Sequence, residues 1–266
     1  MRRRTIEYLI AALLAAGLLA AGYAVAGGPA DGGKTRIATI RPTGVGLPRI
    51  GLDGTVGAGD LGPSLYQYED SGHYESDLEK VGGRARDYLD RRVPRIRRQA
   101  RQRCRKRGIE PCRMPKLALV LDIDETSLSN YDELAAASFR NATAALATSA
   151  IAADAPAIEP TLELFDDARR MGVAAFFITG RPDVAIFRER TEANLTAAGY
   201  SGWKELVLKP TDVHGTVPYK SGVRADIEAD GYRIVLNVGD QDSDLKGGHA
   251  DKAYKLPNPF YFISDD

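Results

Sequence analysis

Histidine and cysteine are scarce. Three His and two Cys leave too few nitrogen and thiolate donors for a zinc site of either kind. A surplus of charge is missing too. The 36 basic and 36 acidic side chains cancel, so nothing global points to a polyanion and no nucleic acid partner is predicted. No internal repeat is visible. What the chain has in quantity is apolar surface: 44% of its 266 residues are hydrophobic, enough for one large domain, or for one with an appendage.

The longest apolar run sits at the very start. Arg2, Arg3 and Arg4 precede an uncharged stretch from Tyr8 to Ala26. That layout fits a cleaved secretory signal peptide, with Ala24-Val25-Ala26 as the small-residue cleavage pattern. It also fits a retained anchor, since the run is long enough to span a bilayer with the arginines held inside. Residues 1–26 are therefore read as a signal peptide or membrane anchor. Either way the rest of the chain is exported, secreted or tethered to the outer face of the cytoplasmic membrane.

Residues 27–72 read as a tether. Gly and Pro recur without a helical or strand period, and such a segment buries too little apolar surface to offset its ordering entropy. Tyr66 and Tyr68 suggest that part of it lies on the domain. Residues 73–266 form that domain, opening with N-terminal basic helices over 73–110. Leu78, Val81, Ala85, Tyr88 and Leu89 recur at spacings of three and four. Gly82-Gly83 and Pro94 predict two helices or a kinked one. Between Arg84 and Arg107 stand twelve basic and two acidic residues, a local net charge of +10. Such a face either attracts phosphate groups, lipid head groups or a polyanion, or is solvated and paired to acids elsewhere.

Cys104 and Cys112 bracket a short loop. In an exported chain two cysteines this close read as a disulfide. Closing that loop contributes about 2–3 kcal/mol in the chain-entropy picture.

Beyond it, strands alternate with helices. Leu117 to Leu121 is an apolar run that ends abruptly in Asp122-Ile123-Asp124, and burying two acids there is costly unless a cation or a reaction uses them. Residues 130–158 are rich in Ala, Ser and Thr and predict a helical insertion over the site. Val173 to Ile178 is a second buried strand, followed at once by Thr179-Gly180-Arg181. Trp203–Leu208, Arg233–Val238 and Tyr254–Leu256 complete an open parallel sheet. Asp122/Asp124, Thr179/Arg181 and Asp240/Asp244 each fall just past the carboxyl end of a strand, the edge where open α/β sheets bind ligands.

These motifs carry a resemblance. Asp122-Ile123-Asp124-Glu125-Thr126, Phe177-Ile178-Thr179-Gly180-Arg181, Lys220 and Gly239-Asp240-Gln241-Asp242-Ser243-Asp244-Leu245 resemble the four ordered motifs of the haloacid dehalogenase (HAD) superfamily. Within it the chain is similar to the class B and C acid phosphatases and the plant vegetative storage proteins. The closing Lys255-Leu256-Pro257-Asn258-Pro259 fits the same branch. Asp242 stands where that branch often has an aromatic residue. The resemblance implies an α/β fold, a Rossmann-like open parallel sheet with helices on both faces and a small helical cap insertion.

It also implies roles. Asp122 is the expected nucleophile, forming an aspartyl-phosphate, and Asp124 the general acid and then base. Mg2+ is the expected cofactor, held by Asp122, the Asp124 carbonyl and Asp240, with Asp244 supporting it or orienting Lys220. Thr179, Gly180, Arg181 and Lys220 are the expected contacts to the phosphoryl group or substrate, a small phosphomonoester. Storage proteins of this group often lack the nucleophile, and here it is present. His73, His214 and His249 are isolated and receive no catalytic role. A second reading is a surface-tethered binding protein that uses the fold without turnover and holds an anionic partner on its arginine-rich helix.

Overall fold

Leu117, Leu119 and Leu121 of the first strand point into one buried layer, while Ala118 and Val120 point into another. Alternation of side chains across a strand, with both faces covered, explains why this run is apolar throughout. The strand is β1 (Lys116–Leu121) in the computed structural model, which describes residues 58–263. Around it lie β2 (Ala174–Pro182), β3 (Glu205–Lys209), β4 (Tyr232–Gly239) and β5 (Ala253–Lys255). The order is β3-β2-β1-β4-β5 and every pairing is parallel. The predicted α/β sheet is therefore present, with strand ends shifted by a residue or two. β2 runs furthest past its expected end and carries Thr179, Gly180 and Arg181 within the strand itself.

The segment expected to be a tether over residues 27–72 becomes helical from Ala58. Helix α1 (Ala58–Asp70) contains Pro63 and two glycines, poor helix formers. Tertiary contacts hold it: Leu65 and Tyr68 are buried, the Tyr68 hydroxyl donates to Asp77, and that of Tyr66 donates to the Ala135 carbonyl. The remainder of that tether, and the predicted signal peptide or anchor, lie outside the described residues. No helix among the described residues is long and apolar enough to cross a membrane.

The expected break at Gly82-Gly83 or Pro94 does not divide the next helix. α2 (His73–Arg107) is one element of 35 residues. Gly82 serves packing instead: a Cβ there would come within 2.5 Å of the Pro160 Cβ, so its absence lets α2 approach the first turn of α5 (Glu159–Arg170). The α2 cations divide in two. Arg86 pairs with Glu163 and Asp167, Arg92 with Asp251 and Arg91 with Asp87, and Arg97 donates to the Met171 carbonyl. Cys104 and Cys112 form the expected disulfide, with 5.7 Å between their Cα atoms.

The insertion after β1 forms two short helices, α3 (Tyr131–Ala136) and α4 (Ala142–Ala152). α6 (Ala185–Ala197) follows β2. α7 (Thr216–Ala229) covers the second face through Tyr219 and Ile227, against Val120, Phe176 and Ile178. A four-residue α8 (Asp242–Leu245) follows β4.

Candidate active site

Three adjacent strands end together, and each leaves an acid or a hydroxyl at its carboxyl end. Asp122 follows β1 and its main-chain N–H donates to Val238 at the end of β4, 3.0 Å away. Asp240 follows β4. Asp244 reaches the same place from α8, where its Oδ2 accepts from the Gln241 N–H and closes the first turn. Gly239 permits this approach, since a Cβ there would overlap Asp244. One carboxylate oxygen from each of Asp122, Asp240 and Asp244 falls within 4.8 Å of the others, and all three residues are buried.

Lys220 enters from α7. Its Nζ lies 2.5 Å from Asp122 Oδ1 and 2.5 Å from Asp244 Oδ1. Burial alone would lower this ammonium, but Asp122 and Asp244 overcome it and hold it above its ordinary value. Asp240 is fixed by three donors: Thr126 Oγ1 at 3.1 Å, Gln241 Nε2 at 2.5 Å and Asn258 Nδ2 at 2.7 Å. Burial, reinforced by Asp244, still pushes its carboxyl up to about 7. Burial likewise raises Asp122; Lys220 opposes this, and Asp244 and Asp240 add to it.

Fully ionised, three carboxylates and one ammonium would leave two negative charges uncompensated in a buried site. A divalent cation with oxygen preference matches that deficit. The donor set therefore fits such an ion, and Asp122, Asp240 and Asp244 are the side chains to hold it. Asp124, expected to offer the metal its carbonyl, leaves its carboxylate to other partners: Arg181 Nη2 and Nε lie 2.8 and 3.2 Å from its oxygens, and Asn130 Nδ2 donates to it at 3.0 Å.

Arg181, the expected substrate contact, lines the cavity over these groups, and its guanidinium engages Asp124 and, at 2.9 Å, Thr191 Oγ1. Thr179 is fully buried. Its Oγ1 accepts from the Arg181 N–H at 3.1 Å, which orders the turn of chain presenting Gly180 and Arg181.

A cavity of about 320 Å³ opens over these groups. Asp122, Asp124, Gly180, Lys220, Asp240 and Asp244 line its floor, and Leu146, Ala147 and Ala150 of α4 lie across from them. The predicted cap insertion thus covers the site. None of His73, His214 and His249 lines this cavity.

The family model of the HAD superfamily, subfamily IIIB (Acid phosphatase), matches residues 67–264. The chain belongs to this family. Among curated relatives, the stem 31 kDa glycoprotein of Glycine max is 42% identical over 118 residues, covering 41% of this chain and 44% of the relative. Acid phosphatase 1 of Solanum lycopersicum is 40% identical over 112 residues, covering 41% and 43%. The match thus spans less than half the length of these relatives. The class C acid phosphatase from Bacillus anthracis superposes with a TM-score of 0.55 at 19% identity, over 77% of this chain and 86% of that one. That likeness concerns the fold.

Several residues of this HAD site carry no periodic signal and were not read as functional from the sequence. Glu125, fully buried and at φ 51°, accepts from the Asn130 N–H at 2.6 Å and anchors the turn after Asp124. Burial, then Asp124, raises it to about 8. Arg224, one helical turn beyond Lys220, donates to the Asp244 carbonyl at 2.7 Å and also to those of Lys246 and Gly248. Asn258 holds Asp240. Glu125 and Asn258 stand within the family motifs, and Arg224 is marked by its spacing from Lys220, since residues four apart share a helix face.

Proposed function

We propose that this chain is an exported, magnesium-dependent phosphomonoesterase that works through an aspartyl-phosphate on Asp122. The observation that carries the reading is Lys220, whose ammonium bridges Asp122 and Asp244 beside Asp240 at the floor of an open cavity. A binding protein without turnover would need no such arrangement.

Asp122 would attack phosphorus while the bond to the leaving oxygen breaks. The departing alkoxide takes its proton from the Asp124 carboxyl. A water then gives a proton to Asp124 and attacks phosphorus, breaking the bond to Asp122 and releasing inorganic phosphate. Lys220 neutralises phosphoryl oxygens and fixes the attacking carboxylate, and Gly180 offers backbone close to the transferring group. Arg181 holds Asp124 in its working position. Bound Mg2+, held by Asp122, Asp240, Asp244 and the Asp124 carbonyl, would supply positive charge against acid–phosphate repulsion.

Hydrolysis of a generic aryl phosphate by the full chain tests this, run with magnesium, with chelator, and as Asp122→Asn. Turnover that needs magnesium and vanishes in the variant is expected. A folded, magnesium-loaded protein inactive from acid to neutral pH would overturn the reading.

A further inference from the structure

Five cations of α2 that form no ion pair among the described residues, Arg101, Arg103, Arg105, Lys106 and Arg107, gather at its C-terminal end. From Arg101 to Lys116 there are seven basic residues and one acid, Glu110. Arg101, Arg103, Arg105, Lys106, Arg107 and Arg113 are all exposed, and among the described residues none of them has an acidic partner within ion-pair distance. Charges in the last turn complement the helix dipole, which accounts for Arg105, Lys106 and Arg107. Arg101, Arg103 and Arg113 lie outside that explanation.

A second observation coincides with the first. Four large apolar side chains are exposed among the described residues, and two of them are at this same tip: Ile109, at 48%, within the disulfide loop and Met114, at 38%, two residues beyond it. The Cys104–Cys112 bridge clips the loop to the helix end. Two exposed apolar side chains close in sequence to exposed cations, one on a covalently fixed loop and one just past it, combine the two attractions that hold a protein at an anionic bilayer surface: charge against the head groups and apolar burial just beneath them.

The placement is also consistent with such a surface. The loop leads into the amino end of β1 at Lys116, whereas Asp122, Thr179 and Asp240 stand at the carboxyl ends of the strands. The cationic tip and the candidate catalytic cavity therefore occupy opposite edges of the sheet.

We propose that the Arg101–Met114 tip docks on an anionic lipid surface, leaving the cavity turned toward solution. A soluble polyanion would match the charge but has no use for Ile109 and Met114.

Co-sedimentation of the full chain with vesicles tests this, using neutral phosphatidylcholine and mixtures containing phosphatidylglycerol. Binding at least about tenfold tighter on the anionic vesicles, and weakening with salt, is expected. Replacing Arg101, Arg103 and Arg105 together by Gln should cost on the order of 100-fold. Ile109→Ser should cost about tenfold and retain the salt dependence. Circular dichroism confirms that both variants are folded. Neutral-vesicle binding common to all forms reports the N-terminal apolar run. Equal affinity for both vesicle types, a triple variant that binds like the parent, or heparin binding without any preference for anionic lipid would each overturn the proposal.

Discussion

The Arg181 guanidinium clasps the Asp124 carboxylate from two nitrogens, Nη2 at 2.8 Å and Nε at 3.2 Å. Both partners are nearly enclosed, with side-chain exposures of 4% and 16%. Asp124, held by its neighbours Arg181 and Asn130, is thus set apart from the Asp122, Asp240 and Asp244 cluster that would hold a metal. One strand end supplies two carboxylates with two different surroundings.

Arg181→Lys should lower kcat by roughly 10–100-fold with little change in KM, because a lysine cannot reproduce the planar two-point grip that orients Asp124. Steady-state kinetics on an aryl phosphate separates the possibilities. A raised KM with kcat intact would restore Arg181 to the direct substrate contact suggested by its motif.

Gly82→Ala should destabilise the fold by about 1–3 kcal/mol, since the added methyl meets Pro160 across a tight helix contact. Thermal unfolding would show a melting temperature lower by roughly 2–4 °C per kcal/mol. Gly83, beside it, has open space around the same position, so Gly83→Ala is the matched control and should leave stability unchanged or slightly raised.

The strand ends were legible in sequence because β1 and β4 are apolar on both faces and stop abruptly at acids. Asp122, Asp240 and Lys220 followed from that pattern and from the family motifs. Helix α1 was not legible. Its Gly59, Gly62 and Pro63 speak against a helix, and the contacts of Leu65 and Tyr68 that decide the matter exist only once α2 is in place. Glu125 and Asn258 stand inside the family motifs, but their roles, like that of Arg224, were not legible: each acts by hydrogen bonding, Glu125 to Asn130 and the other two to the chain after β4, and no periodicity marks such a partner. The continuity of α2 through Gly82 likewise depends on what Pro160 presses against it.

Stability without metal should fall as pH rises. Asp240 and Glu125 are raised to about 7 and about 8, from ordinary values of 3.8 and 4.5. The folded, metal-free protein therefore keeps protons that the unfolded chain releases. Their contribution is fully present below about pH 4 and is lost as pH climbs through about 7 to 8. Magnesium needs the deprotonated carboxylates, so the gap in melting temperature between magnesium and chelator should widen from about pH 5 to about pH 8. A gap that is constant across this range would contradict the assignment of Asp240 to a metal site.

The central claim is a phosphoryl group carried on Asp122. With an aryl phosphate whose phenol is acidic enough to leave unprotonated, Asp124→Asn should spare the first half of the cycle and slow the water-driven second half, so that phosphoenzyme accumulates. Rapid quenching with labelled aryl phosphate, followed by peptide mass analysis, should place one phosphoryl group on Asp122. Turnover in the parent with no labelled protein in this variant, or label on any other residue, would contradict the account.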